Sequence, residues 1–375
     1  MIVLAIGPMP TLDSVSGLSV AFDMAVRGMR ERGHEVFVVD TMPSSDKHVS
    51  GRFQLNRVRE LIRVLRKCLA LVKLADVVYA PVSTSTLGVL KDLLLGLVAR
   101  FGEKPLVGHL HGGGERLFYE SSAWPVQLVT RISRRNFSRI IVLGELLRAE
   151  YDYLDSAVEL VVVPNGLPCE AEPECYRPKH WEQGSPVSLL YLSNMLPSKG
   201  YLRVLDACAI LKARGVKFRC RFCGGFVNTV TEQANDNTLE HFKARVVELG
   251  LGGEVDYLGL VHGAQKRAEL ALADVFLLPT SYPWEGQPIS IIEALSWGVP
   301  VVSTNHKGIP EQVRDGVDGI LVQPPGEPHA LADAVMEIVE SPVAYRGFSE
   351  AARQAYEKRF TAKAFVENLE KALMF

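Results

Sequence analysis

PTSYPWEGQPISIIEALSWGVPVVST, residues 279–304, is the stretch whose reading decides the fold. It leaves an apolar run, DVFLLP (274–279), turns through a loop, enters a segment of helical length, and returns in a second apolar run, PVVST (300–304). Short runs that are apolar throughout, joined by helices, mark parallel strands covered on both faces. Pro288 suits the first helical position, where no backbone donor is needed, and Gly298 suits the stop. The N–H groups of Gln287, Ser290 and Ile291 would then be free at the amino end of the helix, a natural seat for a diphosphate. Glu285 in the loop and Glu293 in the helix each accept two hydroxyl hydrogen bonds at once. Such a pair can hold a sugar at one end and a ribose at the other.

The same alternation extends in both directions. Strands are predicted at 2–7, 36–40, 76–80, 106–111, 139–143 and 160–164, and a second set at 188–193, 217–223, 254–259, 274–279, 300–304 and 319–322. Between the first two, Leu18, Ala21, Phe22, Ala25 and Met29 recur at helical spacing and give an amphipathic crossover helix. Two successive arrays of this kind imply two Rossmann-like α/β domains. The segment 164–186, rich in Pro, Gly and charge and without apolar periodicity, reads as the linker, with Asn165-Gly166 as a turn able to act as a hinge. The expected domains are 1–167, rejoined by a final helix at about 360–375, and 168–359.

Composition agrees with this division. At 375 residues and 47% hydrophobic content, the chain exceeds what one core usually serves. A net charge of -2 gives no bias toward nucleic acid, and no nucleic-acid partner is expected. The first 168 residues carry 20 Lys and Arg against 17 Asp and Glu, the remainder 21 against 26. The opening MIVLAIGPMP has no basic n-region, and Pro8 and Pro10 interrupt it, so it reads as a first strand rather than an export signal. No stretch approaches the ~18 apolar residues of a membrane span. A cytoplasmic location is therefore expected, with peripheral attachment to the membrane face left open. Cys220 and Cys223 form a CxxC, but they fall on a strand that points them to opposite faces, which favours a structural role over zinc.

Taken together, the E-x7-E element of Glu285 and Glu293, LLYLSNMLPSKG (189–200), FCGG (222–225), YLGLV (257–261) and GIPEQVRDGVDGILVQP (308–324) resemble the retaining glycosyltransferases of family 4. The resemblance implies a GT-B fold, two Rossmann-like domains facing a central cleft, with the C-terminal helix crossing back to the first. It implies an N-terminal acceptor domain and a C-terminal donor domain for a nucleotide-diphosphate sugar, a co-substrate rather than a resident cofactor. By that likeness Glu293 binds the ribose hydroxyls, Glu285 meets the transferred sugar, and Lys199 clasps the pyrophosphate. Gly17, Gly224, Gly286, Gln287, Pro288 and Ile289 line the donor, while Leu260 and Val261 meet the base through backbone. A UDP- or GDP-sugar is expected ahead of an ADP-sugar. The family's usual arginine five residues before Lys199 is Asn194 here, so Asn194 and backbone amides from the Gly17 and Gly286 loops would have to substitute. No D-x-D occurs, and no metal is expected at the diphosphate.

His109 and His111 end the fourth predicted strand, before Gly112, Gly113 and Gly114. Two apart on a strand, they share a face. The likeness favours His111 as the group meeting the transferred sugar, with His109, Gly112 and Gly113 toward the acceptor and Glu115 a further candidate. HGGG also suggests the oxyanion loop of lipase-like hydrolases, but no G-x-S-x-G elbow follows it. GRFQLNRVRELIRVLRKCLALVK (51–73) carries seven basic residues against Glu60 alone, and RISRRNFSR (131–139) adds further arginines. Such runs are ordinarily solvated faces. In a chain resembling enzymes that build lipid-linked glycans, they also fit an anionic membrane surface or a phosphorylated acceptor. Two alternatives stand beside transfer: a non-hydrolysing nucleotide-sugar epimerase, and a regulatory or scaffold subunit that binds the nucleotide sugar without turning it over.

Overall fold

The computed structural model describes residues 1–10, 17–42, 53–154, 158–168, 173, 176–227 and 237–375, with only the backbone of 53–57. The chain divides into two compact units, Met1–Pro168 with Ala362–Phe375, and Cys169–Thr361.

In the first unit six strands form one sheet: β1 (Ile2–Gly7), β2 (Glu35–Asp40), β3 (Val77–Pro81), β4 (Leu106–His109), β5 (Arg139–Val142) and β6 (Glu159–Val162). Every pairing is parallel, in the order β2-β1-β3-β4-β5-β6. The strands need little polar content because helices cover both faces, and β3 and β4 are buried at every position. One face packs against α1 (Gly17–Glu31), the other against α2 (Phe53–Leu71) and α3 (Thr86–Phe101). Two further helices, α4 (Glu115–Ser121) and α5 (Trp124–Arg134), follow β4. The helix Ala362–Leu373 buries Phe365, Val366 and Leu369 in the core beneath α1. A Cβ on Gly28 would lie 2.1 Å from Val366 Cγ2, so glycine lets the two helices approach. The preceding helix, Pro342–Arg359, stays with the second unit. Only Ala362–Phe375 returns to the first unit, so the expected crossing begins at Ala362.

The second unit repeats the plan with β7 (Val187–Leu192), β8 (Phe218–Cys223), β9 (Val255–Gly259), β10 (Val275–Leu278), β11 (Val301–Thr304) and β12 (Gly319–Val322), in the parallel order β12-β11-β10-β7-β8-β9. All twelve predicted strands are present, shifted at most by a residue or two at an end. The fourth is the shortened one: β4 closes at His109, and His111 lies beyond it. Cys220 and Cys223 are buried thiols on β8.

The segment expected to be a featureless linker is partly built into the second unit. Lys179 donates to the carbonyls of Leu270, Ala271 and Ala273, which end the helix Gly263–Leu272, and burial lowers its pKa to about 8. Cationic capping of that kind satisfies the orphan carbonyls of a helix end. Neither Asn165 nor Gly166 takes a positive φ. The turn proposed there therefore does not use the left-handed region.

Candidate functional site

In a doubly wound sheet, ligands collect beyond the carboxyl ends of the strands where the order reverses. In the second unit that point lies between β7 and β10, which are neighbours although β8 and β9 intervene in sequence. The loop after β7 carries Asn194 and Lys199; the loop after β10 carries Glu285. Lys199 Nζ donates to Glu285 Oε2 at 2.6 Å, and both side chains are largely withdrawn from solvent. Thr280 Oγ1 donates to the same carboxylate oxygen at 2.9 Å. The Lys199 ammonium also lies 4.6 Å from the centre of the Tyr282 ring, a cation–π contact.

Backbone fixes the two loops to each other. Ser281 N–H donates to Ser198 O at 2.7 Å. Gly200 sits at φ +81, and a Cβ there would lie 2.3 Å from Pro279 O. Thr304 Oγ1 donates to Thr280 O, and His306 Nε2 lies 2.9 Å from Tyr282 O, so the end of β11 supports the same loop. On the other side of β7, Gly224 carries φ +154 with its Cβ position 1.8 Å from Ser193 O, an approach only glycine allows.

The helix Ile289–Ser296 follows. Pro288 is its N-cap rather than its first helical residue, with φ -55 and ψ 122. Its carbonyl accepts from Ile291 N–H at 3.2 Å and from Gln312 Nε2 at 3.1 Å. The Ile291 amide is therefore engaged in closing the first turn, contrary to the sequence expectation. Ile289 and Ser290 occupy the amino end, where helix geometry supplies no intrahelical carbonyl partner. Gly286 and Gln287 are buried immediately before it. Glu293 is 6% exposed and paired with Lys266, which reaches it from the helix Gly263–Leu272. Val261 is buried and Leu260 exposed at the end of β9. Asn194 is exposed, with its carbonyl accepting from Tyr191 Oη at 3.1 Å.

Lys266, Thr280, Tyr282 and His306 were not singled out from sequence. Thr280 and Tyr282 stood inside the motif, but nothing in their spacing distinguished them. Lys266 lies on a helix 27 positions before Glu293, and only the fold joins them.

In the first unit, His109 and His111 do share a face: their rings stack with centroids 3.8 Å apart. They are not equivalent. His109 is fully buried, bonded through Nδ1 to Tyr79 Oη at 2.8 Å and stacked on Phe365, whereas His111 is half-buried. Burial holds its pKa well below the ordinary value, with the neighbouring His111 adding to the effect. Burial also lowers His111, to about 4. Neither ring nitrogen of His111 finds a hydrogen-bond partner among the described residues. The neutral imidazole beside Gly112 and Gly113 thus keeps both a donor and an acceptor nitrogen unmatched, each buried.

Glu115 is withdrawn from any such role. Its carboxylate accepts from Arg134 Nε at 2.7 Å and from Tyr153 Oη at 2.6 Å, and all of Arg134 is buried. Arg134 Nη1 meets Asp92 at 3.1 Å as well. Glu150 anchors the glycine run by accepting Gly114 N–H at 2.9 Å and Arg116 N–H at 3.0 Å. Gly17 opens α1 and is exposed; the residues before it that would shape its loop, 11–16, lie outside those described.

Two such parallel six-stranded units, each built as a Rossmann-like α/β domain, are the components of the GT-B fold. Residues 174–355 match the family described as Glycosyl transferases group 1. Over its whole length the chain resembles a crystal structure of Alr3699/HepE from Anabaena in complex with UDP, with a TM-score of 0.72, 17% identity, and 100% of this chain and 99% of that one covered. At that identity the likeness speaks for the fold. Closer in sequence is WcaL of Salmonella typhimurium, a glycosyltransferase assigned to colanic acid biosynthesis, 35% identical over 158 residues, 41% of this chain and 36% of that one. A GDP-mannose-dependent alpha-(1-6)-phosphatidylinositol monomannoside mannosyltransferase of Mycobacterium tuberculosis is 28% identical over 168 residues, 43% of this chain and 40% of that one. The matched stretch spans about two-fifths of the length of these curated relatives. Among the described residues no helix is long and apolar enough to cross a membrane.

Proposed function

We propose that this chain transfers a sugar from a nucleotide diphosphate to a glycan or lipid-linked glycan, in the synthesis of a cell-surface polysaccharide or glycoconjugate at the cytoplasmic membrane face. The observation that carries the reading is the Lys199–Glu285 pair at the β7/β10 switch point, with Glu293 on the adjoining helix. A cation and a carboxylate in the loops before a helix, with a second carboxylate one turn inside it, suit a ligand with phosphates between two hydroxyl-bearing rings. The relatives' polysaccharide and GDP-mannose assignments, and UDP in the structural neighbour, support a nucleotide-sugar donor.

On this reading Glu293 holds the ribose and Glu285 the transferred sugar, while Gly224, Val261, Gly286 and Gln287 line the donor. Lys199 moves from Glu285 to the diphosphate as negative charge develops on the leaving phosphate. The bond from the anomeric carbon to the phosphate oxygen breaks, and the acceptor oxygen bonds to that carbon on the same face. The acceptor's proton passes to the departing phosphate oxygen, with retention of configuration. The lack of a D-x-D pair supports charge neutralisation by Lys199 and helix amides without a metal ion. His111, neutral at pH 7, offers its imidazole to a sugar hydroxyl.

Purified protein incubated with UDP-, GDP- and ADP-sugars and a panel of lipid-linked acceptors tests this directly. Transfer with retained anomeric configuration, read by NMR and insensitive to a metal chelator, is the expected result. Inverted product would overturn the retention, and conversion of the donor in the absence of acceptor would identify an epimerase instead.

A further inference from the structure

The first unit presents apolar side chains to water in addition to those that form its core. The inner side of α2 delivers Val64 and Cys68 to the core, and the inner side of α3 delivers Leu95, Val98 and Ala99. Both helices carry a second apolar stripe away from the first, and on α2 Leu65 bridges the two by also packing against the core. On α2 the second stripe runs Val58, Ile62, Leu65, Leu69; on α3 it runs Leu87, Leu90, Leu94, Leu97, Phe101. Spacings of three and four keep each set in line along its helix. The two stripes meet in an open apolar groove of about 250 Å³, formed by Leu65 and Leu69 against Leu94, Leu97 and Phe101. Beside α3, the outer side of α5 adds Trp124, 74% exposed, with Leu128 and Ile132 one and two turns on. Scattered apolar side chains on a surface need no explanation, but aligned rows on three neighbouring helices do.

Cations outnumber carboxylates around these rows, although Glu103 is exposed just beyond Phe101. Arg59, Arg66, Lys67 and Lys73 flank the α2 stripe and are exposed, as are Arg100 at the end of α3 and Arg135 after α5. The acidic residues within the three helices are already engaged: Glu60 with Arg63, and Asp92, buried, with Arg134. Lys73 Nζ lies 4.9 Å from the centre of the Phe101 ring, so one cation stands directly at the groove's end.

We propose that the face built by α2, α3 and α5 docks on an anionic lipid bilayer. Apolar rows rimmed by cations match a surface whose interior is hydrocarbon and whose headgroups carry phosphate. Leu97, Phe101 and Trp124 enter the acyl boundary while Arg and Lys stems extend to the headgroups. A second copy pairing through the same face would bring like charges together across the contact. The inference names the surface for the membrane location proposed above and rests on that reading.

Vesicle binding can be read without turnover, so its outcome is separable from that of the transferase assay. Full-length protein is floated with vesicles of phosphatidylcholine alone and of phosphatidylcholine with phosphatidylglycerol, alongside Leu97→Gln/Phe101→Gln and Arg66→Ala/Lys67→Ala variants. The wild type is expected to float with the anionic vesicles and not with the neutral ones. The apolar variant should bind at least tenfold more weakly, and each removed charge should cost about fivefold. Both variants should melt as the wild type does and retain transfer to a soluble acceptor. Failure of the wild type to float with anionic vesicles, or flotation of the apolar variant at wild-type strength, would overturn the proposal. So would a wild-type dimer in sedimentation velocity that the apolar variant dissociates while vesicle binding is unchanged.

Discussion

Lys199 Nζ stands 2.6 Å from Glu285 Oε2 across 86 residues of chain, and this ion pair ties the loop after β7 to the loop after β10. Ammonium and carboxylate face each other here, so a diphosphate bound as proposed would compete with Glu285 for the cation.

If Lys199 meets the leaving phosphate, replacing it by Ala removes that cation. At a few Å and an effective dielectric of ~20 a unit charge is worth about 4 kcal/mol, so kcat should fall by about a thousandfold. Steady-state kinetics with saturating donor measure the loss, and Lys199→Arg should recover part of it.

Glu293→Gln keeps the shape of the side chain and removes its charge. If Glu293 holds ribose hydroxyls, the loss of charge-assisted hydrogen bonds should weaken nucleotide binding about tenfold or more. Calorimetric titration with the free nucleotide measures this without chemistry.

Gly224→Ala should destabilise the second unit by about 2–4 kcal/mol, because the added Cβ would fall 1.8 Å from the backbone oxygen of Ser193. Gly250 has φ +65 with nothing within 4 Å of a Cβ, and Gly250→Ala should cost only about 1 kcal/mol from its left-handed backbone. Denaturant unfolding of the two variants separates a clash from a conformational preference.

Arg134→Ala leaves Glu115 and Asp92 buried without their cation. Breaking a buried ionic cluster by removing one partner costs about 3–5 kcal/mol. Urea unfolding should show that loss, and Arg134→Lys, which cannot reproduce the forked contact with Glu115, should recover little of it.

His111, lowered to about 4 in the folded protein, ordinarily titrates near 6.5. Between those values the unfolded chain holds the proton and the folded one does not, so stability is complete above pH ~6.5 and declines as pH falls toward ~4. His111→Gln should reduce this acid sensitivity, and NMR titration of the imidazole should place its transition near the lower value.

What sequence made legible follows from where each interaction lies. Strands such as LLYL within β7 and FLL within β10 announce themselves because a doubly covered parallel sheet tolerates almost no polar residues. The Glu285–Glu293 spacing is local to one loop and helix, so it could be read directly. Lys266 could not, because its partner comes from another helix. His109 and His111 look alike in sequence and differ only through Tyr79 and Phe365, which bury one ring behind the other. Glu115 has the composition of a site residue and is instead committed to Arg134, a contact set by how α5 packs on α3 and α4. Pro288 shifted from first helical residue to cap because its carbonyl serves both Ile291 and Gln312.

Binding of a nucleotide diphosphate at the β7/β10 loops is tested most directly by thermal shift with UDP, GDP and ADP, on the wild type and on Lys199→Ala, each against its own ligand-free melt. At a concentration a hundred times Kd, a ligand bound only to the folded state adds about 2.7 kcal/mol. One of the three nucleotides should raise the wild-type melting temperature in a dose-dependent way, with most of that rise lost in Lys199→Ala. No rise with any of them, or an equal rise in the variant, would contradict the assignment of this site.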